Sequence, residues 1–81
     1  MDQWLTDLIA NLTADYVAQG ITWGEVGWDT KRRRLIATRW PPAAQAEAMQ
    51  DHLNGRVEAD GGKWERMERE IAAIKTAVPK E

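Results

Sequence analysis

The sequence contains no cysteine, no serine and no phenylalanine, and its only histidine is His52. Disulfides and cysteine-based zinc sites, which often stabilise chains of this size, are therefore excluded. The two commonest protein nucleophiles are also missing. Asp51 adjoins His52, but neighbouring residues on a helix point in different directions, so the two do not form an acid–base pair. The composition predicts a protein that is not an enzyme and that has no catalytic residues, metal site or cofactor.

Long apolar runs are absent as well. No stretch approaches the ~20 apolar residues of a membrane span, and no apolar run of the signal-peptide type is present. The lack of cysteine favours a reducing compartment. We therefore expect a cytoplasmic protein that does not contact membranes. The 81 residues suit one small domain covering residues 1–81.

Charge is unevenly distributed along the chain, although the net charge is only −2. Residues 1–20 contain three aspartates and no base, and residues 41–60 contain four acids and one base. Residues 21–40 contain two acids against five bases, which are Lys31, Arg32, Arg33, Arg34 and Arg39. Positive charge is therefore concentrated in one central segment between two acidic ones.

Three segments have the features of helices. Apolar residues recur at three- and four-residue spacing along residues 2–18 and residues 63–78, which predicts two amphipathic helices. In the second of these, the stripe follows a heptad pattern: Trp64, Met67, Ile71, Ile74 and Val78. Such a stripe forms either an internal core or the seam of a homodimer. An alanine-rich helix is predicted over residues 42–54, and we also expect a homodimer because the core of so short a chain is thin.

Residues 21–40 are rich in β-branched and aromatic residues on both sides of the segment Asp29-Thr30-Lys31-Arg32, which suits a turn. This pattern predicts a two-stranded antiparallel β-hairpin. Val57 is a candidate for a short third strand, and Asp60-Gly61-Gly62 is a turn signal. The predicted fold class is α+β: an N-terminal helix, the hairpin, and then two helices.

The predicted hairpin carries the candidate binding site at its basic tip. Arginine and tryptophan are both enriched at interaction hot spots. The predicted partner-binding residues are Trp28, Lys31, Arg32, Arg33, Arg34, Arg39 and Trp40. The alternative is a solvated turn whose charges prevent edge-to-edge pairing of sheets. An acidic protein surface is the favoured partner, because nucleic-acid-binding domains usually have a pI above ~9 and this chain has a pI near 5.4.

In outline, the predicted helix–hairpin–helix arrangement resembles small bacteriophage head–tail joining proteins. In length, the chain resembles phage-encoded host inhibitors such as anti-CRISPR proteins, and no diagnostic motif carries either resemblance. The second resemblance implies a protein-binding inhibitor or accessory factor from a phage or mobile element, acting on a host protein. We take this as the leading hypothesis. A structural assembly subunit is the alternative, followed by nucleic-acid binding through the hairpin.

Overall fold

The computed structural model describes residues 1–55 and 62–80, which form four α-helices and one short 3-10 helix. The α-helices are α1 (Gln3–Ala18), α2 (Trp28–Arg39), α3 (Pro42–Leu53) and α4 (Gly62–Ala77), and the 3-10 helix is Trp23–Glu25. None of these helices is both long enough and apolar enough to cross a membrane. The described residues contain no strand, so the predicted α+β fold is wrong. Val57, the candidate third strand, and the turn at Asp60-Gly61 lie outside the described residues.

The predicted hairpin over residues 21–40 is replaced by the 3-10 helix and α2. The inward face of α2 presents Trp28, Arg32, Leu35 and Arg39 at helical spacing, and of these only Leu35 is fully buried. Arginine can pack against apolar surface through the aliphatic part of its side chain. The inward residues of α2 therefore recur at helical spacing, but the spacing of its apolar residues alone does not show this. Strand propensity depends strongly on context, and here the helical packing overrides it.

The ends of α1 and α2 are set by glycine and proline. Gly20 has a φ of 79°, which only glycine adopts readily, and the N–H of Ile21 donates to the carbonyl of Tyr16 at 2.9 Å. Pro41 follows α2 directly and cannot continue it. The Gln45 side-chain amide then donates to the Trp40 carbonyl at 2.7 Å, which closes the corner between α2 and α3.

The buried side chains form two clusters arranged along α4. The larger cluster joins α1, α2 and the end of α4, and it contains Leu5, Leu12, Leu35, Ile74 and Val78. The smaller cluster joins α3 to the first half of α4, and it contains Trp40, Ala48 and Met67. The heptad stripe of α4 therefore forms internal core, with Trp64 and Ile71 half-buried at its edge. The molecule is elongated, with extents of 45 × 23 × 22 Å.

Candidate functional site

The four consecutive bases of α2 point in four directions. Successive residues of an α-helix are rotated by about 100°, so a run of four covers nearly a full turn. Lys31 lies over the Trp23 ring at 5.1 Å, and Arg34 lies over the Tyr16 ring at 5.6 Å. The predicted basic tip is therefore wrong in its geometry, because these residues lie around a helix rather than at the end of a hairpin.

Arg32 joins α2 to the C-terminal end of α4. Its Nε donates to the Val78 carbonyl at 2.7 Å, and its Nη2 donates to the Lys75 carbonyl at 3.2 Å. The Lys75 carbonyl belongs to the last turn of α4 and Val78 directly follows the helix, and carbonyls at this end have no intrahelical donors. The Arg32 guanidinium also lies 5.0 Å from the Trp28 ring, and Lys80 lies 5.5 Å from the same ring. Arg32 therefore has a structural role that the sequence did not predict.

Arg39 and Trp40 converge on Glu70 of α4. Arg39 donates from Nε and Nη2 to the two carboxylate oxygens, at 2.7 and 3.2 Å, and the indole Nε1 of Trp40 donates at 2.9 Å. Arg39 also lies 4.7 Å from the Trp4 ring. Trp40 is buried. Both residues, predicted to bind a partner, are therefore part of the internal contacts between α2 and α4.

The Glu70 carboxylate is ionised more readily than an ordinary glutamate. Its side chain is only 12% exposed. Burial acts to raise its pKa, but the hydrogen bonds from Arg39 and Trp40 and the charges of Arg39 and Arg66 outweigh burial, so the pKa is lowered. The hydrogen bond to Glu70 correspondingly raises the pKa of Arg39. The charged form of the pair is thus the stable one.

The aromatic side chains of the described residues are paired extensively with cations. Within residues 1–55 and 62–80, six cations lie within 6 Å of an aromatic ring centroid, the distance at which cation–π attraction acts. Trp64 instead stacks on His52, with ring centroids 5.1 Å apart. Trp28 and Trp40, the two tryptophans predicted to bind a partner, therefore both make contacts within the molecule.

A groove remains open between α2 and the first turn of α3. It has a volume of about 390 Å³, and the side chains that line it include Trp28, Arg33, Ile36, Ala37, Pro42 and Gln45. Arg33 extends outward, and its Nη2 lies 3.9 Å from Oδ2 of Asp29. An apolar groove with a few polar groups at its edge is the usual form of a binding site.

The groove unites three of the predicted binding residues, Trp28, Arg32 and Arg33, with five that were not predicted. The five are Asp29, Ile36, Ala37, Pro42 and Gln45. A helix over residues 28–39 places Arg33, Ile36 and Ala37 on one side, but nothing in the sequence indicates that the first turn of α3 borders this side of α2.

Other candidate chemistry is sparse in the described part of the chain. Residues 1–55 and 62–80 contain no group of three or more histidine or acidic side chains placed to hold a metal ion. His52 is half-exposed, with its Nδ1 3.9 Å from Oε1 of Glu65. Comparisons with protein-family models, with curated proteins and with solved structures found no match to this chain.

Proposed function

We propose that this chain is a protein-binding module that works without catalysis, as an inhibitor or accessory factor acting on a host protein. The observation that carries the proposal is the outward position of Arg33 beside an apolar groove, in a helix whose Arg32 and Arg39 hydrogen-bond within the molecule. Arginine next to apolar and aromatic surface is the combination enriched at protein interfaces.

The distribution of charge favours a protein partner over nucleic acid. Proteins that bind nucleic acid usually present a basic stripe along one face, whereas the bases of α2 diverge around the helix. The preceding helix α1 carries Asp7 and Asp15 and no base, so a phosphate backbone laid along the molecule would meet negative charge. A partner that contacts only the side of α2 that bears Arg33 avoids this repulsion.

A photo-crosslinking experiment tests whether the groove contacts a partner. A benzophenone amino acid at Ala37, which lines the groove, is compared with the same residue at Gln50, on the exposed side of α3. We expect the probe at Ala37 to crosslink one host protein, identified by mass spectrometry, and the probe at Gln50 to leave that protein unlabelled.

The affinity of the identified protein is then measured for wild type, Arg33→Glu and Arg34→Glu. Arg34 is a matched control because it is an exposed arginine of the same helix, but it contacts Tyr16 of α1. We expect Arg33→Glu to weaken binding about tenfold or more and Arg34→Glu to leave it nearly unchanged. Equal affinities for all three proteins would contradict the proposed site.

An assembly subunit is the second candidate, favoured by an exposed apolar pair on α3. Met49 and Leu53 are one helical turn apart and are 50% and 75% exposed. A particle mass that rises with concentration beyond that of a dimer would support this candidate, provided that Leu53→Lys abolishes the rise. A mass that is independent of concentration would contradict it.

A further inference from the structure

The groove between α2 and the first turn of α3 is lined mainly by apolar side chains, and its charged lining residues are Asp29, Arg32 and Arg33, with one more base than acid. Trp28, Ile36, Ala37 and Pro42 form the floor, and Ile36 also packs against the larger buried cluster. Arg33 stands on the α2 rim with 72% of its side chain exposed. A molecule that fills this groove must offer apolar side chains to the floor and negative charge to the rim, because charge that is buried without a partner is costly.

Arg33 can exchange its present contact for a better one. Its ion pair with Asp29 spans 3.9 Å between two largely exposed side chains of the same helix. Exposed pairs of this kind add little to stability because water screens them. A carboxylate from a partner, held in place by apolar contacts in the groove, can bind the guanidinium with both oxygens and so form a stronger pair.

Hydrogen bonds hold both walls of the groove in the described form. Arg32 holds the α2 wall to the end of α4 through its hydrogen bonds to Val78 and Lys75. Gln45 holds the α3 wall to the end of α2 through the Trp40 carbonyl. In this form the groove is already shaped for a ligand, which reduces the entropic cost of association.

We propose that the groove binds an amphipathic α-helix of the partner protein that carries acidic residues beside its apolar stripe. This inference rests on the proposed function and adds the chemistry of the partner. Residues 1–55 and 62–80 offer no strand edge to which an extended peptide could add. Two helices that meet at a corner instead border the groove, and its lining on α2 runs from Trp28 to Ala37, about 14 Å, enough for two to three turns of contact with a third helix.

Three stapled helical peptides of about 15 residues test the proposal directly. They share leucines on one face and carry glutamate, glutamine or lysine at the flanking positions. Binding is followed by the backbone and indole N–H signals of the protein in NMR spectra. We expect the glutamate peptide to shift the signals of Trp28 and Ala37 and to bind about tenfold or more tightly than the lysine peptide.

Reversing the charge of Arg33 on α2 tests whether this charge causes the preference for the glutamate peptide. In Arg33→Glu the preference should reverse in favour of the lysine peptide, whereas Arg34→Glu should bind all three peptides as wild type does. Unchanged NMR signals from Leu12 and Ile74 show that each variant is folded. If Arg33→Glu unfolds the chain, Arg33→Gln removes the positive charge without introducing a negative one. Three results would each overturn the proposal. The first is a preference for the glutamate peptide that persists in Arg33→Glu and Arg33→Gln. The others are NMR shifts confined to another surface and no shifts with any peptide.

The crosslinking and peptide experiments distinguish failure of the proposed function from failure of this inference. If the probe at Ala37 crosslinks a host protein through a segment that is neither helical nor acidic, the proposed function stands and this inference fails. If the glutamate peptide binds at the groove but Ala37 crosslinks no host protein, the chemistry of the groove stands and the proposed function fails.

Discussion

Arginine has two distinct uses in α2, and its position on the helix decides which applies. Arg32 and Arg39 lie on the side that faces α4, where they donate to main-chain carbonyls and to Glu70. Arg33 lies on the side that borders the groove. Reversing the charge of Arg32, Arg33 and Arg34 together would therefore remove the Arg32 hydrogen bonds to the end of α4, an effect that a solvated turn would not show.

Ile74 is expected to be a principal contributor to stability. It is fully buried in the larger cluster, so Ile74→Ala should reduce the free energy of unfolding by about 2–5 kcal/mol, measured by urea denaturation. Ile71 is only half-buried, and Ile71→Ala should cost less than Ile74→Ala. Val17→Ala is the exposed control, with an expected change within about 0.5 kcal/mol. Equal losses in all three variants would contradict the described core.

Glu70 should make stability depend on pH in the acidic range. Its folded-state pKa lies below its unfolded value, so its contribution is fully present above the unfolded pKa of about 4.3 and is lost as pH falls through the folded pKa. Glu70→Gln should therefore cost about 1–2 kcal/mol at pH 7, and the difference should shrink towards pH 2. Urea denaturation of both proteins at the two pH values measures this. A difference that is constant with pH would contradict the role of the Glu70 charge.

Among the helices, α2 can be tested with Thr38→Ala, because the direction of the change in stability differs between a helix and a strand. Thr38 is an exposed residue of α2. Alanine has a higher helix propensity than threonine, whereas threonine is the better strand former. Thr38→Ala should therefore raise the free energy of unfolding by a few tenths of a kcal/mol, measured by thermal denaturation. A loss of stability would favour the hairpin over the helix.

The sequence predicted α1, α3 and α4 because local signals coincide in each of them. Apolar side chains recur at helical spacing in α1 and α4, and Pro42 and Gly55 bound α3. In α2 the local signals conflicted. Its β-branched and aromatic residues suggested strands, and its inward face includes arginines that an apolar pattern does not count.

Part of the candidate site could also be predicted from the sequence. Trp28 and Arg33 stood out by composition and charge, and both line the groove. The groove itself depends on the angle at which the first turn of α3 follows α2 while α3 packs on α4, and such tertiary geometry has no signature in local sequence. The internal roles of Arg32 and Arg39 were missed for the same reason, because Val78 and Glu70 are more than 30 residues away in the chain.

At the scale of the whole molecule, the homodimer stays a prediction, but its expected seam has changed. The heptad stripe of α4 packs inside the protein, which leaves Met49 and Leu53 of α3 as the exposed apolar pair. Light scattering over a wide concentration range should give twice the chain mass of 9.2 kDa, and Leu53→Lys should lower it. A mass of 9.2 kDa at every concentration would contradict the dimer.

The division of the core into two clusters along α4 gives the molecule a way to open in part. In the described residues, the buried members of the cluster that holds α3 are Trp40, Ala48 and Met67, with Ala44, Trp64 and Ile71 packed against them. No residue of α3 belongs to the larger cluster, so α3 can separate from α4 while the larger cluster stays intact. We therefore expect the amides of α3 to exchange with deuterium faster than those of α1 near Leu12. Because α3 supplies one wall of the groove, only the closed form can bind there. Occupation of the groove should then slow exchange throughout α3, including residues far from the ligand, by shifting the population towards the closed form.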